Sequence, residues 1–191
     1  MKEIYSFDEV FDSQAIFRKL LEAMSNPCRI VSVTEQSSKM YGDDAVFLAL
    51  AMTLLDNEMS FDTCGNEKLA EDISLLTYAK RTSLEQADFI FVNDADSLEK
   101  VFSEAKCGTL ADPQLSAALI IKDNGAADNK LRLYGAGIDG TAEAVLSEAA
   151  VRAIELRDAQ NYEYPQGIDM IFVSDTGNLF CIPRLTLREG E

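Results

Sequence analysis

Residues 135–140 read GAGIDG, which fits the spacing G-x-G-x-x-G. In a dinucleotide site such glycines turn the chain out of a buried strand and into a helix whose free N–H groups hold a pyrophosphate. That site also needs an acidic residue about 20 positions further on, at the end of the next strand, for the ribose hydroxyls. Glu155 and Asp158 have that spacing, but the residue pattern puts them in or at the end of a helix, and the next strand ends at Asp175. LRLY at 131–134 follows a turn and carries Arg132, as a half-exposed strand would. Gly135, Gly137 and Gly140 are therefore expected to build a turn needing positive φ or close backbone approach. A stand-alone nucleotide- or dinucleotide-binding enzyme using this turn is the competing alternative.

Other chemistry finds few residues to carry it. The chain has no histidine, which removes Ser-His-Asp and Cys-His relays and the usual general base near neutral pH. Lys106 and Lys122 stand near strand ends and are the candidates for a Schiff base, but neither sits in a recognisable motif. The carboxylate pairs Asp43-Asp44 and Asp94/Asp96 have the ligand type magnesium takes, yet they fall where helices begin, so capping is the expected role. From the residues alone no catalytic, cofactor-binding or metal-binding side chain is assigned.

The 17 Lys and Arg against 33 Asp and Glu give a formal net charge of −16, which opposes binding to a phosphate backbone. Nucleic-acid binding is not expected. The four cysteines, Cys28, Cys64, Cys107 and Cys181, lack metal-ligand spacing, and MKEIYSFDEV at the start has no apolar signal core. Reduced, mostly buried thiols in a cytoplasmic protein are expected. The best apolar run, AVFLALAMTLL at 45–55, falls short of the roughly 18 residues needed to span a membrane.

Helices and strands alternate along the chain. Phe17, Leu20, Leu21 and Met24 fall at i, i+3, i+4 and i+7, predicting a helix from about Asp12-Ser13 that Asn26-Pro27 ends. A strand follows at 28–33, a buried helix at 44–55, a strand at 59–64, a helix at 66–79 and a strand at 88–92. A helix at 95–105 precedes the strand 118–123, whose polar turn Asp123-Asn124-Gly125 leads to 131–137 as a hairpin partner. Residues 143–157 are predicted as a helix. A hairpin of 168–174 and 179–183 closes the chain around the turn Asp175-Thr176-Gly177-Asn178. The fold class is α/β, a three-layer sandwich with a central mixed sheet, in one domain over 1–191.

Three stretches in this order, FRKLLEAMSNP at 17–27, LRLYGAGI at 131–138, and YPQGIDMIF at 164–172 with LFCIPR at 179–184, resemble the PhnH family, subunits of the bacterial carbon–phosphorus lyase machinery. Phe17, Arg18, Leu21, Met24 and Pro27 match its N-terminal pattern. Gly135, Gly137 and Ile138 match its strand-end turn, and Pro165, Gly167, Ile168, Asp169, Pro183 and Arg184 its C-terminal pattern. These are expected to be structural or interface residues. Two positions depart: Cys28 stands where the family usually has glycine, and Leu185 where it has threonine. The resemblance implies a fold similar to a cofactor-less large domain of pyridoxal-phosphate-dependent transferases and a homodimer in isolation. It also implies partnership with PhnG, PhnI and PhnJ homologues in coupling an alkylphosphonate to the ribose of ATP, with release of adenine. Arg184 and Arg18 are expected to be buried partners of carboxylates rather than interface contacts.

Overall fold

Unbroken apolar runs such as FIFV and ALII cannot have a wet face, so strands built from them must lie inside a sheet covered on both sides. The computed structural model describes residues 5–189 and places them there. In chain order the elements are α1 (Phe11–Ser25), β1 (Val31–Ser32), α2 (Thr34–Ser37), α3 (Ala45–Leu54), β2 (Ser60–Asp62), α4 (Glu67–Thr77), β3 (Lys80–Arg81) and β4 (Phe89–Val92). They continue with α5 (Leu98–Glu104), β5 (Ala118–Lys122), β6 (Asn129–Gly135), β7 (Thr141–Leu146), α6 (Glu148–Ala159), β8 (Asp169–Val173), β9 (Asn178–Ile182) and β10 (Thr186–Arg188).

Seven strands form a mixed sheet in the order β1-β9-β8-β5-β4-β2-β3, and a second sheet has the order β10-β6-β7. From β8 to β3 neighbouring strands are parallel, whereas β9 pairs antiparallel with β8 and with β1. One core packs α1, α3 and α4 on one face of the large sheet, around Ile16, Phe47, Leu69 and Phe91. The other packs α5, α6 and the small sheet on the opposite face, around Leu98, Phe102, Ile154 and Phe172. The expected α/β sandwich with a mixed sheet is thus the fold. No helix among the described residues is long and apolar enough to cross a membrane.

Several expectations fail locally. Residues 118–123 and 131–137 are not hairpin partners: β5 lies between β4 and β8, parallel to both, and β6 pairs with β7 and β10 instead. Both faces of β5 are buried, which places it mid-sheet whatever turn follows it. The predicted helix 143–157 begins only at Glu148. Before it Thr141–Leu146 alternates exposed and buried residues as a strand, and the Ser147 hydroxyl caps the helix at Ala150 N–H, 3.1 Å away.

The buried stripe of α1 is Asp12, Ile16, Leu20 and Ala23, so of the predicted stripe Leu20 is buried and Met24 packs half-buried against the core. Small Ala23 lets the helix approach the sheet closely, and Phe17 and Leu21 are left 47% and 52% exposed. Residues 28–33 give only the short edge strand β1.

Asp12 accepts hydrogen bonds from Asp8 N–H at 2.8 Å and from the Lys39 ammonium at 2.6 Å. Burial works to raise its pKa, but those donors outweigh it and hold the carboxyl below its ordinary value. Asp88 behaves alike, with Lys106 and the Ser60 hydroxyl and N–H outweighing burial. A carboxyl depressed in the folded state contributes stability that is complete above its unfolded value and is lost as pH falls through the folded one. Burial pushes the Cys28, Cys64 and Cys181 thiols up to about 12 from an ordinary 9, so their contribution is complete below pH 9 and is lost as pH climbs towards 12. Urea midpoints measured against pH are therefore expected to be flat between about 5 and 8 and to fall below about 4 and above about 9. A decline that starts at pH 6 would contradict this account.

Candidate functional site

Open parallel sheets bind ligands beyond the carboxyl ends of their strands, where successive crossovers leave to opposite faces. Here that point lies between β2 and β4, since α4 packs on one face and α5 on the other. Most polar groups around it are spent on the chain's own turns, but the side-chain oxygen of Asn93, directly after β4, is buried without a partner. Asn66 caps α4 through Leu69 N–H at 3.1 Å, Asp62 accepts from Cys64 N–H at 2.7 Å, and Asp94 accepts from Ser97 N–H at 3.1 Å.

Along the same edge, Lys122 closes β5 and is clamped between Asp44 at 3.1 Å and Asp175 at 3.2 Å, with its ammonium 5.2 Å from the Phe47 ring centre. Burial works to lower its pKa, but the two carboxylates outweigh burial and raise it, so the amine stays protonated and is no nucleophile. Lys106 is likewise paired, with Asp88. Asp123 accepts from the Ser147 hydroxyl at 2.8 Å and from Gly125 N–H at 3.0 Å. The edge thus gathers Asp44, Asp62, Asp94, Asp123 and Asp175, with Lys122 held by two of them and Arg81, at the end of β3, paired to Glu67.

Of the expected caps, Asp94 is one. Asp44 stands at the cap position of α3 but makes no cap hydrogen bond, its carboxylate going to Lys122 and to Asn66 at 3.4 Å. Asp43 and Asp96 are exposed. Among the described residues no group of three or more His, Cys, Asp or Glu is placed to hold a metal ion.

The glycine motif opens no helix. Gly135 ends β6, and β7 starts at Thr141, directly after Gly140, so 135–140 is the turn of a hairpin. A strand and not a helix follows it, so the dinucleotide reading loses its anion site. Gly135 and Gly137 are there for close approach. At φ +120° a Cβ on Gly135 would lie 2.2 Å from the Leu185 carbonyl oxygen, and at φ +84° one on Gly137 would lie 2.7 Å from Ser25 O and 2.8 Å from Pro27 Cδ.

Those contacts show where the family-patterned residues gather. Pro27, at the end of α1, meets Gly137, and Gly135 meets Leu185. Gly167 meets Arg184, since a Cβ there would lie 2.9 Å from Arg184 Cβ. Asp169 opens β8 and accepts from Arg184 N–H at 2.8 Å and from Arg184 Nε at 3.0 Å, with Nη2 completing the fork. Arg184 Nη1 reaches the Pro113 carbonyl, and Gly167 N–H donates to Cys107 O at 3.0 Å. Pro165 follows a cis bond from Tyr164. Ile168 is buried, and Ile138 packs against the same core.

All of this lies at the amino end of the parallel strands, opposite the ligand edge. Arg184 is a largely buried carboxylate partner, as expected. Arg18 is not: it is exposed and has no ion pair among the described residues. Phe17 and Leu21 share that outer face of α1, with Met24 half-buried. Cys28 has φ +66°, the left-handed region that favours glycine, so the turn keeps the shape a glycine would give it. Leu185 uses its carbonyl against Gly135, which any residue supplies.

One residue of this junction went unpredicted. Arg157 is 2% exposed and donates to Thr186 O at 2.7 Å, Pro183 O at 3.3 Å and Asp158 at 2.8 Å, tying α6 to the β9–β10 connection. Its signal was in the sequence, since Ala150, Ala153, Ile154 and Arg157 make an i, i+3, i+4, i+7 stripe that ends on a charge.

Compared with known families, residues 6–189 match the family model described as bacterial phosphonate metabolism protein (PhnH). No curated protein matches the chain.

Proposed function

Because this chain belongs to the PhnH family and so has a role in phosphonate metabolism, we propose that it is a non-catalytic subunit of the carbon–phosphorus lyase core complex. It works with PhnG, PhnI and PhnJ homologues in the cytoplasm, where alkylphosphonate is coupled to the ribose of ATP with release of adenine, and it is a homodimer outside the complex. One observation carries the reading. The edge where an open α/β sheet binds ligands is rich in aspartate and its central lysine is held by two of those aspartates, while the family-patterned residues assemble at the opposite edge around backbone contacts.

ATP and phosphonates are anions, and an edge carrying five aspartates, with its central Lys122 clamped by two of them, is a poor place to gather them. The protonated Lys122 supports the cofactor-less version of the transferase-like fold. The outer face of α1, with exposed Phe17 and Leu21 beside Arg18, has the apolar-plus-arginine make-up of a protein contact. Native mass spectrometry after co-expression with one tagged partner is expected to give a defined complex containing this chain. Thermal melts of the isolated chain with 1 mM ATP, NAD or pyridoxal phosphate are expected to shift by less than about 1 °C, because only a ligand bound to the native state raises its stability. A chain that purifies alone and gains several degrees with ATP or NAD would be a nucleotide-binding protein instead.

A further inference from the structure

Among the described residues, β7 has β6 on one side and no strand on the other. It is six residues long, TAEAVL, without proline or glycine, so every second N–H and C=O along it points outward unpaired. Sheets protect such edges with charge, but Glu143 is the one charged residue of β7 and it is engaged by Lys130 at 3.0 Å. The carboxyl end of β7 borders a cleft of about 350 Å³ with Ile30, Val145, Leu146, Phe172, Leu179 and Phe180 on its apolar side and polar residues such as Asp123, Ser147 and Thr176 on the rest. Ile30 is 68% and Val145 47% exposed there. Ile30 directly precedes β1, the outer strand of the large sheet, so the apolar cleft lies beside the outer strands of both sheets.

We infer that this cleft and the β7 edge receive an extended segment of another protein, paired antiparallel or parallel to β7. Every second residue of the segment is apolar and enters the cleft, and basic residues flank them. A strand added to an edge takes its affinity from backbone hydrogen bonds and its specificity from alternate side chains. The basic flanks follow from the surroundings: Asp123 lines the cleft, Asp128 and Asp175 stand on the adjoining turns, and the whole chain carries −16. A second copy paired antiparallel in the register that sets Glu143 against Glu143 is disfavoured, because like charges directly opposite destabilise a strand pair. The inference rests on the reading of the chain as a complex subunit.

Hydrogen exchange followed by mass spectrometry, on the isolated chain and on the complex with its co-expressed partner subunits, tests it together with Val145→Glu. Amides of 141–146 are expected to exchange at least tenfold more slowly in the complex. Val145→Glu, at a half-exposed position, is expected to melt within a few degrees of the parent and to lower the yield of complex at least tenfold. A complex that forms without added protection at 141–146 overturns the inference and leaves the subunit reading standing. Protection that grows with concentration in the isolated chain makes the occupant a second copy and also overturns it. If no complex forms at all, the subunit reading fails, and this inference with it.

Discussion

Arg184→Ala is expected to lower the unfolding free energy by about 2–4 kcal/mol, because it strands a mostly buried carboxylate. Asp169 accepts from the backbone N–H, Nε and Nη2 of Arg184, and the substitution leaves it only the first. The Pro113 carbonyl loses its donor in the same step. Arg184→Lys recovers little of this, since an ammonium cannot fork onto a carboxylate and also reach a carbonyl on another loop. Asp169→Asn paired with Arg184→Ala isolates the interaction in a double-mutant cycle, where a coupling of about 1 kcal/mol or more marks a clasp. Urea unfolding reads the free energies and co-purification reads assembly. Arg184→Ala with unchanged stability and lost assembly would make Arg184 a subunit contact and remove it from the clasp that ties β8 to β9 and to the 108–115 loop.

That clasp shows what a sequence reading reaches and where it stops. Elements with a strong period, such as Glu67–Thr77 or Phe89–Val92, could be placed from local pattern because packing agrees with it. The hairpin drawn between 118–123 and 131–137 failed because Asp-Asn-Gly signals a turn without saying which strands the turn joins. The continuous run Ala118–Ile121, apolar on both faces, already argued for a central parallel strand. Residues 143–146 of TAEAVL were absorbed into a helix because alanine and glutamate favour one; the alternation and the serine at 147 argued otherwise. On α1 two stripes competed for the core, and the smaller, Ile16–Leu20–Ala23, won because it allows closer approach. The junction itself was legible only as three family-patterned stretches. Its residues lie as far apart in the chain as Pro27 and Gly137, and no local period reports that such residues touch.

The glycines of GAGIDG separate packing from ligand binding within one motif. Gly135→Ala is expected to cost about 3–5 kcal/mol, since the added Cβ would stand 2.2 Å from the Leu185 carbonyl oxygen with the backbone at φ +120°. The obstacle is backbone inside the β6–β10 pairing, where Thr186 is opposite Gly135, so relief requires the small sheet to open. Gly140→Ala meets nothing within 4 Å at φ +72° and costs only the left-handed penalty, about 1 kcal/mol. For a domain of this size each kcal/mol moves Tm by about 2–4 °C, which predicts a loss of roughly 10 °C for the first substitution and a few degrees for the second. Equal and small shifts would mean that Leu185 yields and that the glycine at 135 is not required by packing. A pyrophosphate cradle would make the opposite demand, with both glycines dispensable for the empty fold and both needed for the ligand. Unequal stability losses in the unliganded protein are what a hairpin turn pressed against a neighbouring chain segment must give.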